Sequence, residues 1–259
     1  ARAVPRLRMR PIAAVMGLTG KGARRAMAAI AVAMTVAVLA TGCVMLPGRV
    51  ADPTAPPRAT DGASARPGGL SAPGPAAVAA AKRDLAGLAV DRGGASAAYD
   101  RAAFGEPWAD VDGNGCDTRN DVLRRDLRGV AVRAGTCRVS RGVLIDPYDG
   151  ERVAFVSGAA TSELVQIDHV VSLSYAWRHG AEAWTAARRL AFANDPRDLV
   201  AVSERMNDVK GPFGPGQWLP PSATGRCVFV VRWVAVMAEY GLTVHPGDRA
   251  AVERVLPTC

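Results

Sequence analysis

QIDHVVSLSYAW, residues 166–177, is the stretch on which the reading of this chain turns. Leu164-Val165-Gln166-Ile167 reads as a strand that ends on Asp168-His169. Successive strand residues face opposite ways, so an acid beside a histidine ordinarily diverges from it. At a strand end the backbone can turn, and both side chains can then reach one cleft. The chain holds three histidines. His179, at an apparent helix end, and His245, before Pro246, read as structural positions, so His169 is the one that carries chemistry.

Working outward, FANDPRDLVAVSERMNDVKGPFGPGQWLPP follows at residues 192–221. Within it Arg197–Asn207 reads as a short strand or turn and then a helix start. Ala181–Ala193 places Trp184, Ala187, Leu190 and Ala191 at helical spacing. Arg226–Tyr240 reads as an apolar helix stopped by Gly241, and Asp248–Leu256 as a last helix. Upstream, Ala76–Leu88 is expected to be helical. A second helix is expected from Thr118 through VLRRDL to a stop at Gly129. Strand-like stretches at Cys137–Ile145 and Arg152–Val156 flank DPYDGE, where Pro147 and Gly150 mark a hairpin loop. Helices and short strands without βαβ regularity place the chain in the α+β class.

Composition bounds the remainder. At 259 residues, 49% hydrophobic and 22% charged, the chain is too apolar to be disordered throughout and too mixed for a polytopic membrane protein. Seven of its positive charges (Arg2, Arg6, Arg8, Arg10, Lys21, Arg24 and Arg25) lie in residues 1–43, which contain no acid. The formal +8 is therefore a property of the leader and is no argument for a nucleic-acid partner. A basic stretch, an uncharged run from Ala26 to Cys43 and small residues have the layout of a secretory signal. Ala40-Thr41-Gly42-Cys43 fits a relaxed lipobox. A lipid on Cys43 would tether the protein to the outer face of a membrane, whereas cleavage at a nearby small residue would release it. Residues 44–75 read as a Pro/Gly/Ala-rich tether, and residues 76–259 as the folded domain.

Cys116, Cys137, Cys227 and Cys259 remain, an even number suited to two disulfides in an exported chain. Three pairings are possible. The sequence-local one is Cys116–Cys137 with Cys227–Cys259, each closing a loop worth about 3 kcal/mol. No CxxC pair and no Cys close to a His favours a zinc site.

The ordered set Asp168-His169, Asn194-Asp195-Pro196, Asn207 and Lys210-Gly211 resembles the HNH nuclease pattern. In particular, with NGCDTRNDVLRRDL (114–127) and DPYDG (146–150), it resembles exported HNH proteins related to the C-terminal domain of GmrSD-type restriction enzymes. The resemblance covers roughly residues 95–259. It implies a ββα-metal core with additional helices and one divalent cation, Mg²⁺ or alternatively Mn²⁺. It implies His169 as general base and Asp168 and Asn207 as metal ligands. Lys210 and Arg119 would pair with substrate phosphate. The middle Asn of the pattern falls near Asp198, with Asn194 as an alternative occupant. An ionised Asp can accept a hydrogen bond toward His169 but cannot donate one. The implied substrate is DNA, with RNA as the alternative, handled by a monomer without a small-molecule cofactor. A second class stays open: a surface lipoprotein that uses a degenerate nuclease fold only for binding.

Two further features have bland readings. Asp117 or Thr118 can cap the helix that follows. Asp110, Asp112 and Asn114 resemble part of a calcium loop, but the twelfth position is Asp121 rather than Glu. Trp177, Trp184 and Trp233 read as core, and Trp218 as the tryptophan nearest a substrate.

Overall fold

The computed structural model describes residues 71–91, 97–158 and 161–259. The expected leader, lipobox and most of the tether lie outside the described residues. Among these residues no helix is long and apolar enough to cross a membrane.

The described chain is α+β. Helix α1 (Pro75–Gly87) comes first, then α2 (Thr118–Asp126). Strands β1 (Arg128–Val132), β2 (Val139–Ile145) and β3 (Arg152–Val156) form an antiparallel sheet in sequence order. Strand β4 (Val165–His169) leads into α3 (Leu173–Arg178) and α4 (Ala186–Ala193). It pairs antiparallel with β5 (Leu199–Ser203), setting His169 opposite Leu199 and Asp168 opposite Val200. Helix α5 (Glu204–Lys210) follows β5 without a break, so β4, β5 and α5 make the expected ββα unit. Helices α6 (Ala223–Glu239) and α7 (Pro246–Val255) complete it.

Two apolar clusters flank the β4–β5 pair. Val165, Ile167, Leu199 and Ala201 belong to one, with Val122 and Leu123 of α2 and Leu144 and Phe155 of the sheet. Val170, Val171, Val200 and Val202 belong to the other, with Phe229 and Trp233 of α6. Alternate residues of β5 thus serve opposite cores. This explains why Leu199-Val200-Ala201-Val202 is an uninterrupted apolar run instead of an alternating one. Two arginines secure the entry to β5 from opposite sides. Arg125 of α2 and Arg232 of α6 both donate to the carbonyls of Pro196 and Leu199.

The second helix is shorter than its sequence pattern suggests. It ends at Asp126, and Gly129, at φ +58°, lies inside β1 where the pairing with β2 slips register. The expected helix over 181–193 starts only at Ala186, because Thr185 caps it by accepting from the Arg188 amide. Ala181–Ala183 is a short 3₁₀ turn instead. Helix α3, of which the sequence reading gave only the end at His179, is six residues long and capped by Ser172. Both expected disulfides are present, Cys116–Cys137 and Cys227–Cys259.

The DPYDG loop between β2 and β3 is more than a surface turn. Tyr148 is buried, and its carbonyl oxygen accepts from Ser222 Oγ at the start of α6. Gly225 allows this approach, since a Cβ there would fall inside the van der Waals contact of the Tyr148 carbonyl. Gly225→Ala should therefore destabilise the protein by about 1–3 kcal/mol, although alanine favours a helix interior by about 1 kcal/mol. The midpoint of urea unfolding, compared with Gly87→Ala, whose Cβ meets nothing within 4 Å, checks this.

Candidate active site

At the end of β4 the backbone turns and brings Asp168 and His169 to one cleft of about 380 Å³, which Ser172, Asn207 and Asp208 also line. His169 is mostly buried, and its Nε2 lies 2.8 Å from the carbonyl oxygen of Ala193 at the end of α4. A carbonyl can only accept, so Nε2 carries the hydrogen and Nδ1 keeps the lone pair. Burial pushes the imidazole down to about 4 against the opposing pull of the Ala193 carbonyl, with the positive charges of Arg101 and Lys210 adding to the lowering. His169 is consequently neutral at physiological pH, the form that can take a proton.

Asp168 is tied from two sides. Its Oδ2 accepts from the Tyr148 hydroxyl at 2.6 Å, and its Oδ1 pairs with Lys210 Nζ at 2.9 Å. Burial raises the carboxyl above its ordinary range, and Lys210 is the main opposing influence. Lys210 also donates to the His169 carbonyl at 2.8 Å and has no exposed surface. The expectation that Lys210 meets a phosphate is thus corrected in this structure. It is the internal counterion of Asp168 and anchors α5 to the end of β4. Asn207, one turn earlier on α5, donates its amide to Gln166 Oε1 at 2.6 Å. That bond uses the NH₂ group and leaves the amide oxygen as donor atom toward a cation.

Among the described residues no three His, Cys, Asp or Glu side chains converge as a metal cluster. The cleft nevertheless offers a carboxylate and an amide oxygen. Each Asp168 oxygen keeps a second lone pair, and a hard cation takes its other positions from water and phosphate. The donor set fits Mg²⁺ or Mn²⁺ in kind.

Asp198 does not orient His169; the Ala193 carbonyl does. Asp198 Oδ1 instead accepts from the Val171 amide at 2.8 Å, and its backbone carbonyl accepts from Val170 at 2.9 Å. It stitches the turn after β4 to the start of β5. Its Oδ2 is buried without a partner, and burial pushes the carboxyl well above the usual range. Asn194 is also buried, its Nδ2 donating to Leu190. Arg119 does not line the His169 cleft. It donates to the carbonyls of Ser162 and Val165 and lines a separate cavity with Asn120 and Arg138. Asp117 caps α2 by accepting from the Asn120 amide.

Other expectations resolve locally. Asp110 turns both oxygens onto amides of its own loop, those of Gly113, Asn114 and Gly115. Trp218 packs edge-on against Tyr148, whose hydroxyl holds Asp168, and is thus a support rather than a wall of the cleft. His179 stacks on Tyr175 with ring centroids 4.0 Å apart. Sequence reasoning missed Tyr148, and it missed Arg101 and Tyr99, which line the cleft from a segment far upstream of the DH pair. The YDRAAFGEPW aromatic spacing was the available signal.

A family model described as GmrSD restriction endonucleases, C-terminal domain, matches residues 117–245. An uncharacterized secreted protein of Arthroderma benhamiae is 39% identical over 177 residues, covering 68% of this chain and 82% of that protein. The chain belongs to the GmrSD C-terminal domain family. The family match spans Asp168, His169, Asp198, Asn207, Lys210 and Arg119, so it frames the cleft from the β4, β5 and α5 side. Arg101 and the turn that follows it precede the match. No solved structure matches the chain.

Two stability measurements test this arrangement. Lys210→Met leaves a buried, unpaired carboxylate and should cost about 3–5 kcal/mol; combining it with Asp168→Asn should recover part of that loss. Asp198→Asn keeps the acceptor for Val171. A carboxyl raised by folding makes stability fall as pH rises above the ordinary carboxylate range. The amide should therefore stabilise the protein by about 1–3 kcal/mol at pH 7.5, with the gain shrinking toward pH 4. Thermal melts of both proteins across that range report it.

Proposed function

We propose that this protein is an exported, metal-dependent endonuclease that hydrolyses phosphodiester bonds of DNA. The observation that carries the reading is a neutral His169, held at Nε2 by Ala193, facing the same cleft as Asp168 and Asn207. Membership of a restriction-endonuclease domain family supports the chemistry. Two disulfides and a relative named as secreted support export, either free or through a lipid on Cys43.

In this reading His169 Nδ1 accepts the proton of the attacking water, since the Ala193 contact occupies Nε2 and leaves the Nδ1 lone pair available. The Ala193 carbonyl fixes the ring and the tautomer, and stabilises the imidazolium once it forms. Asp168 and Asn207 would hold one Mg²⁺ or Mn²⁺, which supplies positive charge to the phosphate and the leaving oxygen. Tyr148 and Lys210 position Asp168 and limit its rotation. Lys210 acts through Asp168 and not on the substrate.

The test is supercoiled plasmid and single-stranded circular DNA, each incubated with the oxidised protein in Mg²⁺, Mn²⁺ or EDTA, beside His169→Ala. Nicking should require metal and fall by roughly 10²- to 10⁴-fold in the variant. Absence of cleavage with either metal, from protein with an unaltered melting profile, would overturn the proposal in favour of a binding module on a nuclease scaffold.

A further inference from the structure

A second cavity opens beside the first and shares His169, Arg101 and Leu173 with it. Its volume is about 440 Å³, within the range of small-ligand sites, and Phe104, Pro107, Trp108 and Ala193 contribute its walls. Glu106 also lines it. The cavity is chiefly apolar, and the cleft beside it mixed, with Asp168, Asn207 and Asp208 among its polar lining. An occupant spanning both fits best with a polar part in the cleft and an apolar part in the cavity.

Arg101 occupies the junction. It is exposed, and among the described residues no ion pair or hydrogen bond of its guanidinium is found. It sits on a 3₁₀ turn (Arg101–Phe104) capped by Asp100, whose side chain accepts from the Ala102 amide. The wall beyond is built at conformational cost. Gly105 takes φ +82°, and its missing Cβ leaves room for Leu190. Trp108 is the one non-glycine among the described residues with positive φ, +61°. A bulky residue held in that region marks a place where the fold imposes a side-chain position. Trp108 is half-buried, with its backbone carbonyl accepting from the Thr118 amide.

We infer that the Phe104–Trp108 cavity receives the unpaired nucleobase of a nucleotide flanking the scissile phosphate, while Arg101 pairs with a phosphate at the junction. This deepens the nuclease reading and rests on it. A guanidinium matches phosphate in a two-pronged geometry. A base held against aromatic side chains gains about 1–3 kcal/mol by stacking. A base inside a protein cavity cannot remain paired, so the substrate class is single-stranded nucleic acid, or duplex opened at an end, nick or mismatch. The apolar wall and the free guanidinium thus divide one nucleotide between them.

The experiment uses the oxidised full chain and one oligonucleotide sequence in three forms: single-stranded, fully duplex, and single-stranded with abasic sites. Binding is read by fluorescence anisotropy in EDTA, and cleavage separately in Mn²⁺. Single strand should bind at least roughly tenfold tighter than duplex. Trp108→Ala should weaken single-strand binding by roughly 5- to 100-fold, and an abasic strand should lose the same factor in wild type but not in the variant. Arg101→Ala, at an exposed position, should weaken all three forms and flatten the salt dependence, with Arg101→Lys restoring part. Trp108→Phe and a melting profile show whether the loss belongs to the ring or to the fold. Equal binding of single strand and duplex, or a Trp108→Ala variant that treats intact and abasic strands as wild type does, overturns the inference. If cleavage proceeds under that result, the nuclease reading survives alone. If strand-selective binding holds while no metal supports cleavage, the subsite stands and the catalytic reading falls.

Discussion

A lysine with no exposed surface needs a reason to be there. In this protein the reason is Asp168, whose carboxylate is held between Lys210 and the Tyr148 hydroxyl. Three segments distant in the chain meet at this one acid: the DPYDG loop, the end of β4 and the end of α5. Removing either charge alone strands the other in a low-dielectric surrounding, which costs more than the pair contributes. The pair therefore specifies the arrangement more than it stabilises it. It ties the end of β4 to the end of α5 beside His169.

Most of the contacts that support this centre have a backbone group as one partner. Ala193 holds the imidazole through its carbonyl, and Val171 engages Asp198 through its amide. Backbone partners cannot be exchanged by point mutation, so the geometry depends on where α4 ends and β5 begins. Arg125 and Arg232 hold that entry by filling the carbonyls of Pro196 and Leu199 from two sides. Asp198, acting through an oxygen acceptor toward Val171, does the part of an amide side chain that an acid can do, and leaves its second oxygen without a partner.

Local patterning reveals much of this fold in advance. Helices α1 and α6, strands β2 to β4, the DPYDG loop and both disulfides follow from periodicity, turn residues and cysteine spacing. What escapes depends on contacts distant in sequence. β1 carries Gly129, and only pairing with β2 makes it a strand. Helix α3 is too short to show a period, and Ser172 defines it by capping. Within the site, Asp168 and His169 stand out as a pair, whereas nothing local distinguishes a buried Lys210 from a solvent-facing one. Arg119 has the residue type for phosphate but spends its hydrogen bonds on Ser162 and Val165. Arg101 is flanked by the aromatic spacing of YDRAAFGEPW, but only the fold shows that this segment returns past His169.

The two disulfides each belong to one flank of the β4–β5 pair. Cys116–Cys137 joins the approach to α2 with the approach to β2, and Cys227–Cys259 joins α6 to the segment after α7. Neither crosses from one apolar cluster to the other. The strand pair that carries His169 works as a party wall, packed from both sides and crossed by neither disulfide. Covalent reinforcement lies within each flank, while the two flanks are joined across the strand pair by packing and by polar ties such as Lys210 to Asp168 and to the His169 carbonyl.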